Sequence, residues 1–200
     1  MPKVIDRDQR RQDILDVTWN LIVKGGLEAA TMREIAKEAG FANGALKRYF
    51  DSKDVIVEAT YQRALKIMES HVAAALGDKT GLDALRQFTL AAMPLDEERI
   101  TAGRVLLAFW ELSLSKEALF EVYQAHLMRW RNSLREYIRQ GREDGDIVSP
   151  ESDEQLVDEL VLLNAGANIM SLVGPDFSTV ELQHRHLDSF FDRITRSPAA

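Results

Sequence analysis

Two hundred residues with 46% hydrophobic and 28% charged side chains are enough for one or two domains with a sizeable buried core, which excludes wholesale disorder. There is no cysteine, so disulfides, zinc-thiolate sites, iron-sulfur clusters and thiol nucleophiles are excluded together. The net charge of -7 argues against a phosphate-rich partner, yet the average hides a split: residues 1–66 hold 12 Lys and Arg against 10 Asp and Glu, whereas the other 134 hold 13 against 22. Two regions with different partners are the simplest reading.

Residues 1–12 are dense in charge with no apolar core, and the longest uncharged apolar stretch, residues 160–173, falls short of the ~20 needed to span a bilayer. A cytoplasmic protein without export or membrane insertion is expected. Glycine and proline cut the chain into helical lengths, and no sustained two-residue alternation occurs, so the fold class is all α with about nine helices. Over residues 7–24, Ile14, Leu15, Val17, Thr18, Leu21 and Ile22 share one side at 3.6 residues per turn, and Gly25-Gly26 ends the pattern. Thr31 and Glu34 form a T-x-x-E capping box for a second helix that Gly40 stops. Residues 43–49 suffice for a short third helix, and Ser52 caps a long fourth one running toward Leu76. Further helices are expected near residues 82–93, 100–113, 116–142, 153–173 and 179–196.

The spacing within residues 31–53 meets the steric demands of a helix-turn-helix. Ala36 is small where two helices cross, Gly40 supplies the turn's positive φ, and Leu46 and Phe50 plug the interface from the third helix. Asn43, Gly44, Ala45, Lys47 and Arg48 then project outward, on the side that enters a major groove.

The segments Thr31-Met32-Arg33-Glu34-Ile35-Ala36, Ala39-Gly40-Phe41, Gly44 to Phe50 and Ser52-Lys53 resemble the N-terminal signature of the TetR family of bacterial regulators, over about residues 7–60. The resemblance implies an all-α fold in which three N-terminal helices bind DNA, the rest forms a ligand-binding and dimerising core, and a small molecule releases the operator. It also implies that Thr31, Arg48, Tyr49 and Lys53 hold phosphates while Arg33, Asn43, Gly44, Ala45 and Lys47 face bases. Thr31 and Lys53 lie at or beside helix N-termini, which favour phosphate, and Arg33 and Asn43 carry bidentate donors suited to guanine and adenine edges. Ala42 stands where the family often has a capping Ser or Thr, which leaves Asn43 as either cap or reader; Lys47 replaces a frequent aromatic.

On residues 153–173, Leu156, Leu160, Leu163, Ala167 and Met170 form one flank and Val157, Val161, Ala165, Asn168 and Leu172 another. A second cover is needed, and the last helix, with Leu187 and Phe191, has a similar surplus. A homodimer through Val161, Ala165, Asn168, Leu172, Leu187 and Phe191 is one solution, and a pair of central monomer helices is the other. Tyr61, Phe88, Phe109, Trp110, Tyr123, His126 and Trp130 either line an apolar ligand pocket or pack the core. Glu111 beside Trp110 suits a cationic ligand, or is a solvated residue. Leu107-Ala108-Phe109-Trp110, followed by a helix bearing Arg129 to Arg135, is similar to the choline-responsive BetI-type branch.

His184 and His186 point about 200° apart on a helix and cannot share a metal as an i, i+4 pair does, while His71 and His126 stand alone. No metal site, phosphate loop or nucleophile elbow is present, and no cofactor is expected. The resulting expectation is residues 1–52 as a helix-turn-helix DNA-binding domain and 53–200 as a ligand-binding and dimerisation domain. Together they would make a non-enzymatic regulator of double-stranded operator DNA, a repressor released by a small hydrophobic or cationic molecule. The competing classes are a small enzyme acting on an apolar amine near Trp110, Glu111 and His126, and a DNA-free helical adaptor.

Overall fold

In the computed structural model, which describes residues 6–42 and 44–196, the 3.6-residue repeats become eight α-helices, and no strand occurs among the described residues. They are α1 (Arg7–Ala29), α2 (Met32–Glu38), α3 (Lys53–Leu76), α4 (Gly81–Ala92), α5 (Glu97–Ser113), α6 (Glu117–Glu143), α7 (Asp153–Val173) and α8 (Val180–Thr195). Two 3-10 turns, Ala45–Arg48 and Pro175–Phe177, complete the order. Asn43, expected among the base-facing residues, lies outside the described residues.

Contacts divide the chain into two compact units that do not follow chain order: Met1–Lys66 with Arg104–Phe120, and Ile67–Gly103 with Glu121–Ala200. In the first unit, α1 buries Ile14, Leu15, Thr18 and Ile22, the side its periodicity marks, and helical dihedrals break at Gly25 and Gly26 as expected. Ile35, Ala36, Leu46, Phe50 and Ile56 close the same cluster, joined by Val105 and Ala108 of α5. Asp6 caps α1 by accepting from the backbone N–H of Asp8 and Gln9.

The Thr31 cap forms, with Oγ1 accepting from the Glu34 N–H at 3.1 Å, but the reciprocal half of the expected box does not. The Thr31 N–H donates to the Ala29 carbonyl, and the Glu34 carboxylate takes Lys37 at 3.1 Å. A full capping box stands at Ser152 and Gln155, where the Gln155 side chain accepts from the Ser152 N–H at 2.9 Å. The expected third helix is the 3-10 turn Ala45–Arg48, which Gly44 enters at φ 88° and beyond which the Phe50 N–H donates to the Leu46 carbonyl at 3.1 Å.

The second unit packs Leu85, Phe88, Leu134, Ile138, Leu156, Val157, Leu160, Leu187, Phe190, Phe191 and Ile194 into one core. The Ile194 carbonyl accepts from the N–H groups of Val148 and Ser149, and the Arg142 guanidinium donates to Asp153 and to the carbonyls of Ser149 and Glu151. These bonds satisfy the loop between α6 and α7 without a strand. By length and composition α7 could cross a membrane, although its uninterrupted apolar stretch is short. Its buried residues, Leu156, Val157, Leu160 and Ala167 among them, belong to the core of this unit.

Ile138 is fully buried, so Ile138→Ala is expected to cost about 2–5 kcal/mol in urea unfolding. Ser152→Ala, which removes only the α7 cap, should cost about 1 kcal/mol.

Candidate nucleic-acid interface and effector-binding residues

The exposed part of the helix-turn-helix is fixed by what its neighbours bury. Leu46 and Phe50 are 1% and 2% exposed, whereas Lys47 and Arg48 between them are exposed, as is Arg33 on α2. Gly40 adopts φ 71° at the end of α2 and Gly44 φ 88° before the turn, and a Cβ on either would meet no neighbour, so conformation rather than space demands glycine at both. Ala45 is half-buried beside Leu46.

Among the described residues, no carboxylate pairs with Arg33, Lys47 or Arg48, while Lys37 on the same α2 is held by Glu34 at 3.1 Å and Glu38 at 3.7 Å. Three uncommitted cations therefore stand on α2 and the following turn. The turn is braced from behind by α1, a feature the sequence reading missed. Arg7 Nη2 donates to the Arg48 carbonyl at 3.2 Å, and Arg11 Nη1 donates to that of Tyr49. The Arg11 guanidinium also lies 4.1 Å from the Phe50 ring centroid. The spacing of Arg7 and Arg11, one turn apart on one side of α1, was the available signal.

Two expected phosphate ligands have internal bonds. Thr31 Oγ1 serves as the α2 cap, and Lys53 Nζ donates to the Leu27 carbonyl at 2.8 Å, satisfying a backbone acceptor near the end of α1. Tyr49 is half-buried with its ring edge-on to Phe41 at 5.3 Å.

The expected effector-binding residues fall in both compact units. In the first, Tyr61 and Phe109 are fully buried and stacked, centroids 3.8 Å apart and planes 4° off parallel. Trp110 is half-buried and Glu111 exposed on α5. In the second, Phe88 packs against Trp130 at 4.3 Å and edge-on to Tyr137 at 5.5 Å. Tyr123, His126 and Trp130 follow one another along α6, all half-buried. Burial, with a smaller contribution from the nearby positive Arg129, lowers the His126 imidazole from 6.5 to about 4, so it is neutral at physiological pH. Burial likewise pushes the Tyr123 phenol up.

Of the residues expected to dimerise, Leu187 and Phe191 are 1% and 2% exposed within their own unit and Asn168 is also buried, its Nδ2 donating to the Asn164 carbonyl at 2.9 Å. Val161, Ala165 and Leu172 are half-buried. The apolar side that α7 leaves uncovered runs instead through Leu162, Gly166, Ile169 and Val173, with Leu162 72% and Val173 66% exposed.

Comparison with known proteins agrees with this arrangement. The description "Bacterial regulatory proteins, tetR family" matches residues 14–60, and "BetI-type transcriptional repressor, C-terminal" matches residues 81–196. The chain belongs to the TetR family. Similar relatives include the HTH-type transcriptional regulator PksA of Bacillus subtilis, 29% identical over 88% of this chain and 84% of that one. BetI of Serratia proteamaculans is 32% identical over 67% of this chain and 69% of its own length. Among solved structures, a putative regulator from Saccharomonospora viridis in complex with choline superposes with a TM-score of 0.84 at 24% identity, covering 92% of this chain and 96% of that one. A Rhodococcus regulator gives 0.80 at 22% identity, covering 92% and 95%. This TetR-family protein is thus a DNA-binding transcriptional regulator, as the relatives named above are transcriptional regulators.

Because His126 is neutral when folded but protonates near 6.5 when unfolded, its contribution is nil above pH 6.5, and folding stability falls as pH drops from 6.5 toward 4. The loss should reach up to about 3 kcal/mol, and the difference between wild type and His126→Gln in urea titrations across this window isolates it from the carboxylates.

Proposed function

We propose that the chain acts in the cytoplasm as a homodimeric repressor of a pseudo-palindromic operator, its two helix-turn-helix heads entering successive major grooves ~34 Å apart. The uncommitted cations Arg33 on α2 and Lys47 and Arg48 on the following turn carry this reading. Residues 1–52 supply the DNA-binding domain and 53–200 the ligand-binding and dimerisation domain. Arg33, Lys47 and Asn43 read base edges unless Asn43 serves as the helix cap, and Gly44 and Ala45, also base-facing, allow close approach. Arg48, Tyr49, Thr31 and Lys53 hold phosphates. Lys53 exchanges its Leu27 carbonyl for a phosphate oxygen, or keeps that bond and positions α3.

Dimerisation uses the α7 face carrying Leu162, Gly166, Ile169 and Val173, supported by its exposed apolar character and by a glycine that permits close helix approach. Val161, Ala165 and Leu172 flank this face; Asn168, Leu187 and Phe191 support it from beneath.

The effector is a small hydrophobic or cationic molecule. The choline bound to the Saccharomonospora viridis regulator supports the cationic class. The candidate contacts are, in the first unit, Tyr61, Phe109, Trp110 and Glu111 and, separately in the second, Phe88, Tyr123, His126 and Trp130. Effector binding bears on α3, with a coupling of ~1–3 kcal/mol between effector and operator affinity.

Lys47→Ala and Arg48→Ala should each weaken binding to whichever promoter fragment of its own chromosome the wild-type protein selects. Arg48→Ala should do so evenly across sequences, reducing the salt slope by about one, and Lys47→Ala should also relax base preference. Leu162→Glu should yield monomers in sedimentation with unchanged helicity and a large loss of operator affinity. Unaltered dimers would remove the α7 interface from the proposal.

A further inference from the structure

The second compact unit holds a cleft that neither the helix-turn-helix nor the aromatic residues use. Its volume is about 480 Å³, and it opens to solvent with His71 and His184 exposed. Ala75 of α3, Leu90 of α4 and Leu95 before α5 give it apolar walls, and His71, Arg99 and His184 line it with nitrogen.

Arg99 is fixed on two sides. Its Nε donates to Asp96 Oδ2 at 2.7 Å and its Nη1 to the Leu90 carbonyl at 2.9 Å. Asp96 Oδ1 accepts from the Arg99 N–H at 2.8 Å, so both oxygens of the cleft's one carboxylate are already taken by the same residue. Although partial burial acts to raise it, the Asp96 carboxyl is held below the usual carboxylate range by backbone and side-chain hydrogen bonds from Arg99 and by the nearby His71. The guanidinium has five N–H donors, more than these bonds use, and its orientation is set before any guest arrives. Imidazoles on α3 and α8 add donors from two further elements. The described residues contain no cluster of three or more His, Asp or Glu able to hold a metal ion, so the paired histidines do not mark a cation site.

We propose that this cleft binds a small amphipathic monoanion, a carboxylate on a short apolar body. Arg99, His71 and His184 surround the charge, and Ala75, Leu90 and Leu95 face the body. A planar fork with its position fixed suits a carboxylate better than a point charge does, and a monoanion adds no second charge to be desolvated against Asp96. The site is separate from the effector reading above and does not rest on it.

The test uses the full chain with histidine side chains isotope-labelled for NMR, and calorimetry with hexanoate, hexanamide and hexylamine as probes of equal length. Hexanoate is expected to move the His71 and His184 signals while His126 and His186 stay in place, with a millimolar Kd and about 10-fold weaker binding of hexanamide. Ala75→Phe, which fills the apolar wall and leaves every charge intact, should abolish the shifts. Arg99→Gln and His184→Ala should each weaken binding about 5-fold or more. Because Arg99 also holds the start of α5, the melting temperature of its variant is measured alongside; should it unfold, Ala75→Phe and His184→Ala decide the matter. Equal binding of hexylamine or hexanamide, shifts that persist in Ala75→Phe, or no shift at tens of millimolar hexanoate would overturn the proposal. Operator binding by the unliganded protein is unaffected by any of these results.

Discussion

The helix-turn-helix depends on two side chains, Leu46 and Phe50, being driven into the cluster formed by Ile35, Ala36, Ile14 and Ile56. Each buried side chain of this size is worth about 1.5–3 kcal/mol, several times what an exposed charge contributes. The burial therefore decides the orientation of the turn, and the charges follow it. Anchoring Leu46 on a turn of three residues per revolution sends Lys47 and Arg48 to other sides, into solvent. Arg11 reinforces the same anchor, lying over the Phe50 ring while donating to the Tyr49 carbonyl. A surface competent for DNA is thus a by-product of where two apolar residues must go.

The second unit obeys the same rule with a different result. Its core takes one side of α7 and almost the whole apolar side of α8, leaving α8 with a charged exterior at Glu181, Arg185 and Asp188. The α7 helix has more apolar surface than one core can cover, and the remainder is exposed at Leu162 and Val173. The ion pairs that join α6 to α7, Arg131 with Glu154 and Asp158 and Arg135 with Glu154, are largely solvent-exposed and worth little in stability.

What the sequence made legible was local or periodic. The buried side of α1, the break at Gly25-Gly26, the crossing alanine, the Gly40 turn and the Ser52 cap each depend on residues within about one or two turns of each other. The features that escaped depend on competition or on distance. Glu34 had two available partners, and the Thr31 N–H found a carbonyl while Lys37 took the carboxylate. Leu187 and Phe191 were legible as apolar, yet which core receives them is a tertiary choice that periodicity does not contain. The cleft at Arg99 escaped for the same reason, because its lining comes from four helices and a loop spread between residues 71 and 184. Lys53 illustrates the mixed case: its place at the start of a helix was readable, its bond to Leu27 twenty-six residues away was not.

The net charge of -7 then ceases to oppose DNA binding. At physiological ionic strength the Debye length is about 8 Å, so charges much farther than that from a phosphate scarcely affect it. The acidic excess belongs to residues after 66, and several of its carboxylates, Glu151, Asp153, Glu154, Asp158 and Glu159 among them, are engaged by arginines. On α2 and the turn after it, Arg33, Lys47 and Arg48 have no carboxylate partner among the described residues. Under the proposed function this local balance, and not the net charge, bears on phosphate binding. An acidic protein with a small uncommitted basic rim is in this sense better suited to selecting one site than a uniformly basic one, since little of its surface gains from non-specific contact with duplex.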